Sequence, residues 1–515
     1  MKIFKSSIFW IHFIILFFAV AVLYLPSLHH SFILDDHIGI EQNVNIQSID
    51  GVFVNPISIF RSFLLHTSYS LGGLNPAYYR VMNIAFHFGT VFGVYLLVTL
   101  ILGSAVVAFI SALIFAAHPI LVESVVWISS LTYPQYSFFV IFSIIFYILL
   151  RRKKNRIPYS ILFCASFILS LLSSEKALVL PIVILIYEWL FGSLKKNWKP
   201  ISIAFGAILI FGVIMYPFVQ ERIATFSASA TTGTTELLNP FIQIPMVIGT
   251  YLNLIFWPQR LTIYHLDELG IQSVPLIVNS ILLLGYLAAL VLSYFKDKKI
   301  FFFLSIFFIA SLPALIPIHI IQIAAERYAY LGSFGLITAV VATLFSIKNK
   351  YKVNVIWLYV ILSVCVLALA WRTNDRAKDW ESEMSLRLAT LSTAPYSSRA
   401  HNNVGIQLMN ENRDSEAMVE FEKSISLKPD YSHPYHNIGH MLAVRGRYAE
   451  ALPFYLKAIS LNAYEWKTRQ DIGQVYFMLK KYSEAKVQLT RAIEQGSPEV
   501  ERLQTILNRI RELGF

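Results

Sequence analysis

Two adjacent acids, Asp35 and Asp36, follow the first hydrophobic run of this chain within Ser31-Phe32-Ile33-Leu34-Asp35-Asp36-His37. A lone acid in an aqueous loop is usually only solvated, but a carboxylate pair at a membrane edge can take a proton or hold a cation. Other reactive groups also lie at the ends of apolar runs. Arg80, Asn83 and His87 are spaced by three and four, so they share one helix face. His118-Pro119 and Glu123 open a loop, Glu175-Lys176 sit at a turn between apolar segments, and Glu326-Arg327-Tyr328 precede a further span. Arg327 at the start of a hydrophobic span is costly unless it meets an anion or carbonyls, so Arg327, Lys176, Arg260 and Arg80 form the candidate anion-binding set. His118, Glu123, Glu175, Asn83, His87 and Glu326 are supporting candidates, although His87 also reads as a satisfied core residue and Glu175-Lys176 as a local ion pair. No cofactor is firmly implied; Asp35, Asp36 and Glu123 together would make an oxygen-rich site for a divalent cation.

The elements that must position these groups are membrane helices. The 515 residues are 56% hydrophobic and only 14% charged, which excludes an ordinary soluble domain. The two cysteines, Cys164 and Cys365, lie in apolar runs and read as buried small hydrophobes rather than a disulfide or a metal site. Residues 8 to 26 form a first span, retained as an anchor because no small-x-small cleavage site precedes Tyr24-Leu25-Pro26. Further apolar segments cover 80 to 102, 104 to 117, 134 to 150, 158 to 172, 177 to 191, 201 to 218, 241 to 257, 276 to 294, 300 to 317, 330 to 346 and 353 to 371. Basic groups at Arg151 to Arg156, Lys195 to Lys199, Lys296 to Lys299 and Lys348 to Lys352 belong on the cytoplasmic side with the N-terminus. They share one side if 241 to 257 is re-entrant or interfacial, which leaves about eleven crossings. The C-terminus then lies outside, with Asp35, Asp36, Glu41, Asp50, Glu123, Glu175, Glu221, Glu236, Asp267, Glu268 and Glu326. The outer cations are Arg61, Arg80, Lys176, Arg222, Arg260 and Arg327.

More than half of all charged residues fall in the last 144 positions, and there an internal period appears. Gly405, Gly439 and Gly473 are 34 apart, as are Ala417, Ala451 and Ala485, then Phe421, Tyr455 and Leu489, then Ile425, Ile459 and Ile493. This period resembles the tetratricopeptide repeat, a helical hairpin that stacks into a solenoid. The predicted organisation is all-α: a multispan membrane domain over 1–371, a lead-in helix and linker over 372–398 that includes Trp380 to Leu391, and repeats at about 399–430, 431–464 and 465–498. A C-terminal helix with Val500, Leu503, Ile506, Leu507 and Ile510 on one face caps the array. His401, His433, His436 and His440 have no metal-ligand spacing.

Taken together, several motifs carry a likeness. The acid pair followed by Asn43-Val44-Asn45-Ile46-Gln47, His118-Pro119-x-x-x-Glu123, Ser174-Glu175-Lys176, Trp257-Pro258-Gln259-Arg260-Leu261 and Ala325-Glu326-Arg327-Tyr328-Ala329-Tyr330-Leu331, ahead of tetratricopeptide repeats, resemble the transmembrane and tetratricopeptide-repeat protein O-mannosyltransferases. More broadly the chain is similar to the GT-C superfamily of membrane glycosyltransferases. It departs from the family in having Asn43-Val44 where an asparagine-proline is usual, and in having three clear repeats. The resemblance implies inverting transfer of mannose or another hexose from a polyprenyl-phosphate donor to a Ser or Thr hydroxyl of a protein or peptide, on the non-cytoplasmic side. Asp35 or Asp36 is then the base; neighbours on an extended loop point opposite ways, so only one serves. Arg327, with Lys176 and either Arg260 or Arg80, then takes the lipid phosphate. Membrane lipids are expected partners, and nucleic acid is not. The Gly514-Phe515 end carries no retention signal, which with the compact repeats favours a bacterial inner membrane over an endoplasmic reticulum. The competing readings are a non-enzymatic scaffold whose repeats recruit partners, and an enzyme of the same superfamily acting on a lipid or glycan. A transporter fits less well, because the charges gather at one membrane face rather than at mid-span.

Overall fold

The structure is a computed structural model that describes residues 7–54, 59–192, scattered positions between 206 and 220, 239–263, 273–315, 324–463 and 465–515. Lys195 to Lys199, Glu221, Arg222, Glu236, Asp267 and Glu268, and most of 201 to 218, lie outside the described residues. Every regular element among the described residues is helical. The chain divides into two compact units, Met1–Ser382 and Glu383–Phe515.

In the first unit α1 (Ser7–Tyr24), α2 (Ile59–Gly72) and α3 (Pro76–Leu102) come first. Asn75 caps α3 through its side chain, Pro76 supplies a preset φ at the first helical position, and Gly103 ends the helix at φ 74°. That start puts Arg80, Asn83 and His87 on the buried face near the N-terminal end. Then come α4 (Ala105–Ala116) and α5 (Val122–Val126), which meet at a 55° bend. His118 precedes Pro119, which disfavours helical backbone, and it is extended at φ −84°, ψ 123°. Next are α6 (Thr132–Arg152), α7 (Ile157–Ser173) and α8 (Leu180–Phe191), followed by α9 (Pro240–Phe256), α10 (Ser273–Lys296), α11 (Lys298–Ser311), α12 (Tyr330–Tyr351) and α13 (Val355–Asp379).

Among the described residues, seven helical stretches are long and apolar enough to cross a bilayer, or eight if the bent pair counts as one. The predicted segments 158 to 172 and 177 to 191 form shorter helices, because Ser174 caps a 3-10 turn and Pro181 restarts the chain. The chain is a multi-pass membrane protein. Segment 241 to 257, predicted to be re-entrant or interfacial, forms α9, a continuous helix of 17 residues with buried Met246, Val247, Ile248, Tyr251 and Leu252, too short to count among the spanning helices. The sharp bend occurs at 116–119 instead. Cys164 on α7 and Cys365 on α13 are exposed, not buried as their apolar neighbours predict, because the surroundings of a membrane helix are themselves apolar.

The second unit begins with α14 (Glu383–Thr393). Three hairpins follow: α15 (Ser398–Asn410) with α16 (Asp414–Leu427), α17 (Ser432–Val444) with α18 (Tyr448–Leu461), and α19 (Trp466–Met478) with α20 (Tyr482–Glu494). Helix α21 (Val500–Glu512) closes the series with Leu503 and Ile510 fully buried against α20. The sequence period has a steric cause. A Cβ on Gly405 would lie 2.6 Å from the Phe421 ring, one on Gly439 2.9 Å from Tyr455, and one on Gly473 2.6 Å from Leu489. The alanines at 417, 451 and 485 are fully buried where the second helix crosses. Gly405→Val therefore drives a side chain into a ring that cannot move, and thermal unfolding of the full chain should show this unit destabilised by roughly 1–3 kcal/mol. An unchanged transition would mean that the first helix can shift away.

Candidate functional site

The segment from His118 to Ser130 joins most of the groups singled out in the sequence. His118 accepts a hydrogen bond from the Ile120 N–H (3.2 Å) at Nδ1 and donates Nε2–H to the Ile255 carbonyl (2.9 Å), which ties the bend to the end of α9. Further on, the carbonyl of Val126 accepts from Arg80 Nε (3.0 Å) and that of Trp127 from Asn83 Nδ2 (2.9 Å). The other nitrogens of Arg80 donate to the carbonyls of His30 and Ser31. Arg80 thus clamps the segment before the acid pair to α3; it is fully buried on backbone carbonyls and does not join the other cations. His87 pairs through Nδ1 with the Tyr330 hydroxyl at 2.7 Å and is also fully buried.

The acid pair occupies the first turn of a short helix over 35–41 rather than an extended loop, entered through Leu34 at φ 51°. A non-glycine residue in that region costs on the order of 1–3 kcal/mol, so the surroundings must hold the turn in place. Asp36 supplies the hold. It is fully buried and accepts from the Ser129 N–H (2.9 Å), the Ser129 hydroxyl and the Ile33 N–H (3.3 Å). Burial pushes its carboxyl up to about 6, against the opposing pull of those hydrogen bonds and of the Arg80 charge. Asp35, one residue and about 100° earlier around the turn, is exposed. The two acids differ in environment even though they are adjacent in sequence.

Glu123 receives the backbone N–H of Arg327 at 3.0 Å and pairs with its guanidinium. The guanidinium also lies 5.3 Å from the Trp127 ring and 5.0 Å from that of Tyr328. Lys176 approaches the same Tyr328 ring at 5.9 Å and the Tyr133 ring at 5.2 Å, and its ammonium is 3.4 Å from Glu175. Arg327 and Lys176 are therefore brought together around one tyrosine, Tyr328, and the Trp127 ring beside Arg327 is two residues along the chain from the Ser129 that holds Asp36. Arg260 is exposed on the loop after α9, where Arg372 donates to the carbonyls of Pro258 (3.3 Å) and Gln259 (3.2 Å). Glu326 points away from this cluster to Arg376, 3.0 Å away, with both side chains fully buried. Arg376 also binds Asp379 at 2.9 Å and faces the Trp380 ring, which stacks on Trp127 at 5.8 Å between centroids.

The suggested cation site of Asp35, Asp36 and Glu123 does not assemble: Glu123 is turned to Arg327 and Asp36 to Ser129. Among the described residues no three acid, histidine or cysteine side chains gather as a metal site would require. Ser129, Trp127, Tyr133 and Arg376 are not singled out by the sequence, and Tyr328 is marked there only as the neighbour of Glu326 and Arg327. Arg376 alone had a readable signal, a basic residue about one turn beyond a hydrophobic span.

A family model described as tetratricopeptide repeat matches residues 432–464. The chain is similar to proteins named "Protein O-mannosyl-transferase TMTC3" from Mus musculus (24% identity, 80% of this chain) and Homo sapiens (23% identity, 80% of this chain). It spans about half the length of these relatives, 50% and 51% respectively. The Drosophila melanogaster protein of the same name matches 21% of this chain at 26% identity and 12% of its own length. Among solved structures, the crystal structure of MamA aligns with 30% of this chain and 86% of its own at 18% identity and a TM-score of 0.21.

Removing Arg376 as Arg376→Met leaves Glu326 buried without its cation, and thermal unfolding in detergent should show a loss of about 3–5 kcal/mol, most of it recovered when Glu326→Gln is added. For Asp36 the folded protein binds the proton more tightly than the unfolded chain, so stability falls as pH rises from about 4 to about 6. That slope should be missing in Asp36→Asn; a parallel pH profile would assign it to other groups.

Proposed function

We propose that this chain is a membrane glycosyltransferase that moves mannose or another hexose from a polyprenyl-phosphate carrier to a protein Ser or Thr hydroxyl on the non-cytoplasmic side. The reading is carried by one observation. An exposed carboxylate, Asp35, is fixed by its buried neighbour Asp36 to the same segment, 127–130, whose Trp127 ring meets the cationic cluster of Arg327 and Lys176. The similarity over four-fifths of the chain to proteins named protein O-mannosyl-transferase supports the same reading.

In the proposed reaction Asp35 takes the proton of the acceptor hydroxyl, the oxygen bonds to the anomeric carbon from the face opposite the carrier, and the bond to the carrier phosphate breaks. The bonding electrons leave on that phosphate, where Lys176 and the guanidinium oriented by Glu123 offset the developing charge. Asp36 acts through position, since its oxygens are occupied by Ser129 and Ile33. A site at the membrane edge suits a donor whose lipid stays in the bilayer. The helical repeats give a surface suited to an extended protein acceptor rather than a lipid.

Asp35→Asn should lower transfer by about 10²-fold or more with the chain still inserted and folded. Lys176→Ala should chiefly raise the donor concentration needed for half-maximal rate. The measurement is transfer of labelled polyprenyl-phosphate sugar to a peptide library by the purified full chain. Full transfer by Asp35→Asn would leave the repeats as a scaffold and the acid pair without a chemical role.

A further inference from the structure

A second group of charges lies at the far ends of the same helices. Helix α6 has 21 residues, so Arg151 and Arg152 are about 25 Å from Tyr133 and Tyr136 at its start. There the C-terminal ends of α3, α6 and α8 and the start of α11 surround a cavity of about 480 Å³, lined by Leu100–Gly103, Arg151, Arg152, Tyr187, Glu188 and Lys299, among others. That volume is within the range of small-ligand sites.

Among the described residues the cavity is lined by one acid, and that acid is already neutralised. Glu188 is 1% exposed and accepts from Arg151 Nε (3.0 Å) and from the Tyr147 hydroxyl (2.9 Å). This contact aims the Arg151 guanidinium from a fixed base. Arg152 donates Nη1 to the Leu100 carbonyl at 2.9 Å, which anchors it at the rim, and Lys299 is exposed beside it. Three cations against one paired acid leave the cavity positive, so it selects an anion. A second observation bears on where the anion comes from. Trp189, half exposed and stacked on Tyr294 at 5.1 Å, stands at this same end with the exposed Phe191 and Phe295. Amphipathic rings beside cations at the ends of spanning helices match the headgroup level of a bilayer.

We propose that this cavity binds the phosphate of an anionic lipid headgroup, held by Arg151, Arg152 and Lys299, with the lipid's chains against the Trp189–Tyr294 rim. The proposal is independent of the transfer chemistry at the opposite end. It gives the buried Glu188 a role, because an arginine oriented by a buried acid binds phosphate from a defined direction.

The test uses the purified full chain in neutral detergent, titrated with phosphatidylglycerol, phosphatidylcholine or inorganic phosphate while the thermal midpoint is followed. Phosphatidylglycerol should raise the midpoint in a saturable way, and the other two should not at equal concentration. The double variant Arg152→Gln/Lys299→Gln should need roughly 25-fold more phosphatidylglycerol, about fivefold per cation removed. Arg151 is kept so that Glu188 is not stranded. Arg156→Gln, which removes a cation of the same basic segment outside the cavity lining, should leave the titration unchanged. An equal response to phosphatidylcholine, an equal response to inorganic phosphate, an unchanged titration in the double variant or an equal loss in Arg156→Gln would each overturn the proposal.

Discussion

Glu326 and Arg376, both fully buried and 3.0 Å apart, bring the turn before α12 and the end of α13 together in surroundings where neither charge could stay alone. With that turn pinned, Arg327 and Tyr328 can point only into the space beside α5 and the start of α6. Glu123 then fixes Arg327 through both backbone and side chain, and Trp127 and Trp380 stack over the junction. The cationic cluster is thus a consequence of where buried charge has to be compensated. Removing the pair would loosen the cluster even though neither partner belongs to it.

A similar economy governs the acid pair. A short helical turn separates neighbouring residues by about 100°, so one of two adjacent acids can be buried while the next faces out. Asp36 accepts hydrogen bonds that hold a turn made costly by Leu34, and Arg80 ties the preceding segment to α3 through His30 and Ser31. The exposed Asp35 is positioned by these contacts without making them. Charge at the far ends of α3 and α6 follows another pattern, with Glu188 compensated by an arginine and a tyrosine and with Arg152 and Lys299 lining the cavity beside it.

The repeat unit obeys a more local rule. Each glycine admits a large side chain from the next helix of its own hairpin, so the contact lies within one 34-residue copy. Stacking of hairpins then buries a shared apolar core that includes Val404, Leu408, Ile438, Met441, Leu442 and Ile472. Local contacts of this kind are legible from periodicity, which is why the 34-residue spacing alone singles out Gly405, Gly439 and Gly473.

The all-α class, the membrane helices, the repeat period and the clustering of unusual residues at the ends of apolar runs can all be read from the order of the amino acids. Composition and spacing are properties of consecutive residues, and helical periodicity turns them directly into faces. Which of those residues meet is set by the fold. Arg80 and Arg327 read alike in the sequence, each a lone cation at the start of a span, yet one is used up on carbonyls and the other sits beside Lys176 and two aromatic rings. Asp35 and Asp36 are the same residue type in adjacent positions, and their separation into an exposed and a buried group depends on Ser129, 93 residues away from Asp36. Contacts over such distances are fixed by the need to satisfy buried polar groups in three dimensions, and a linear pattern of hydrophobicity holds no record of which partner will be in reach.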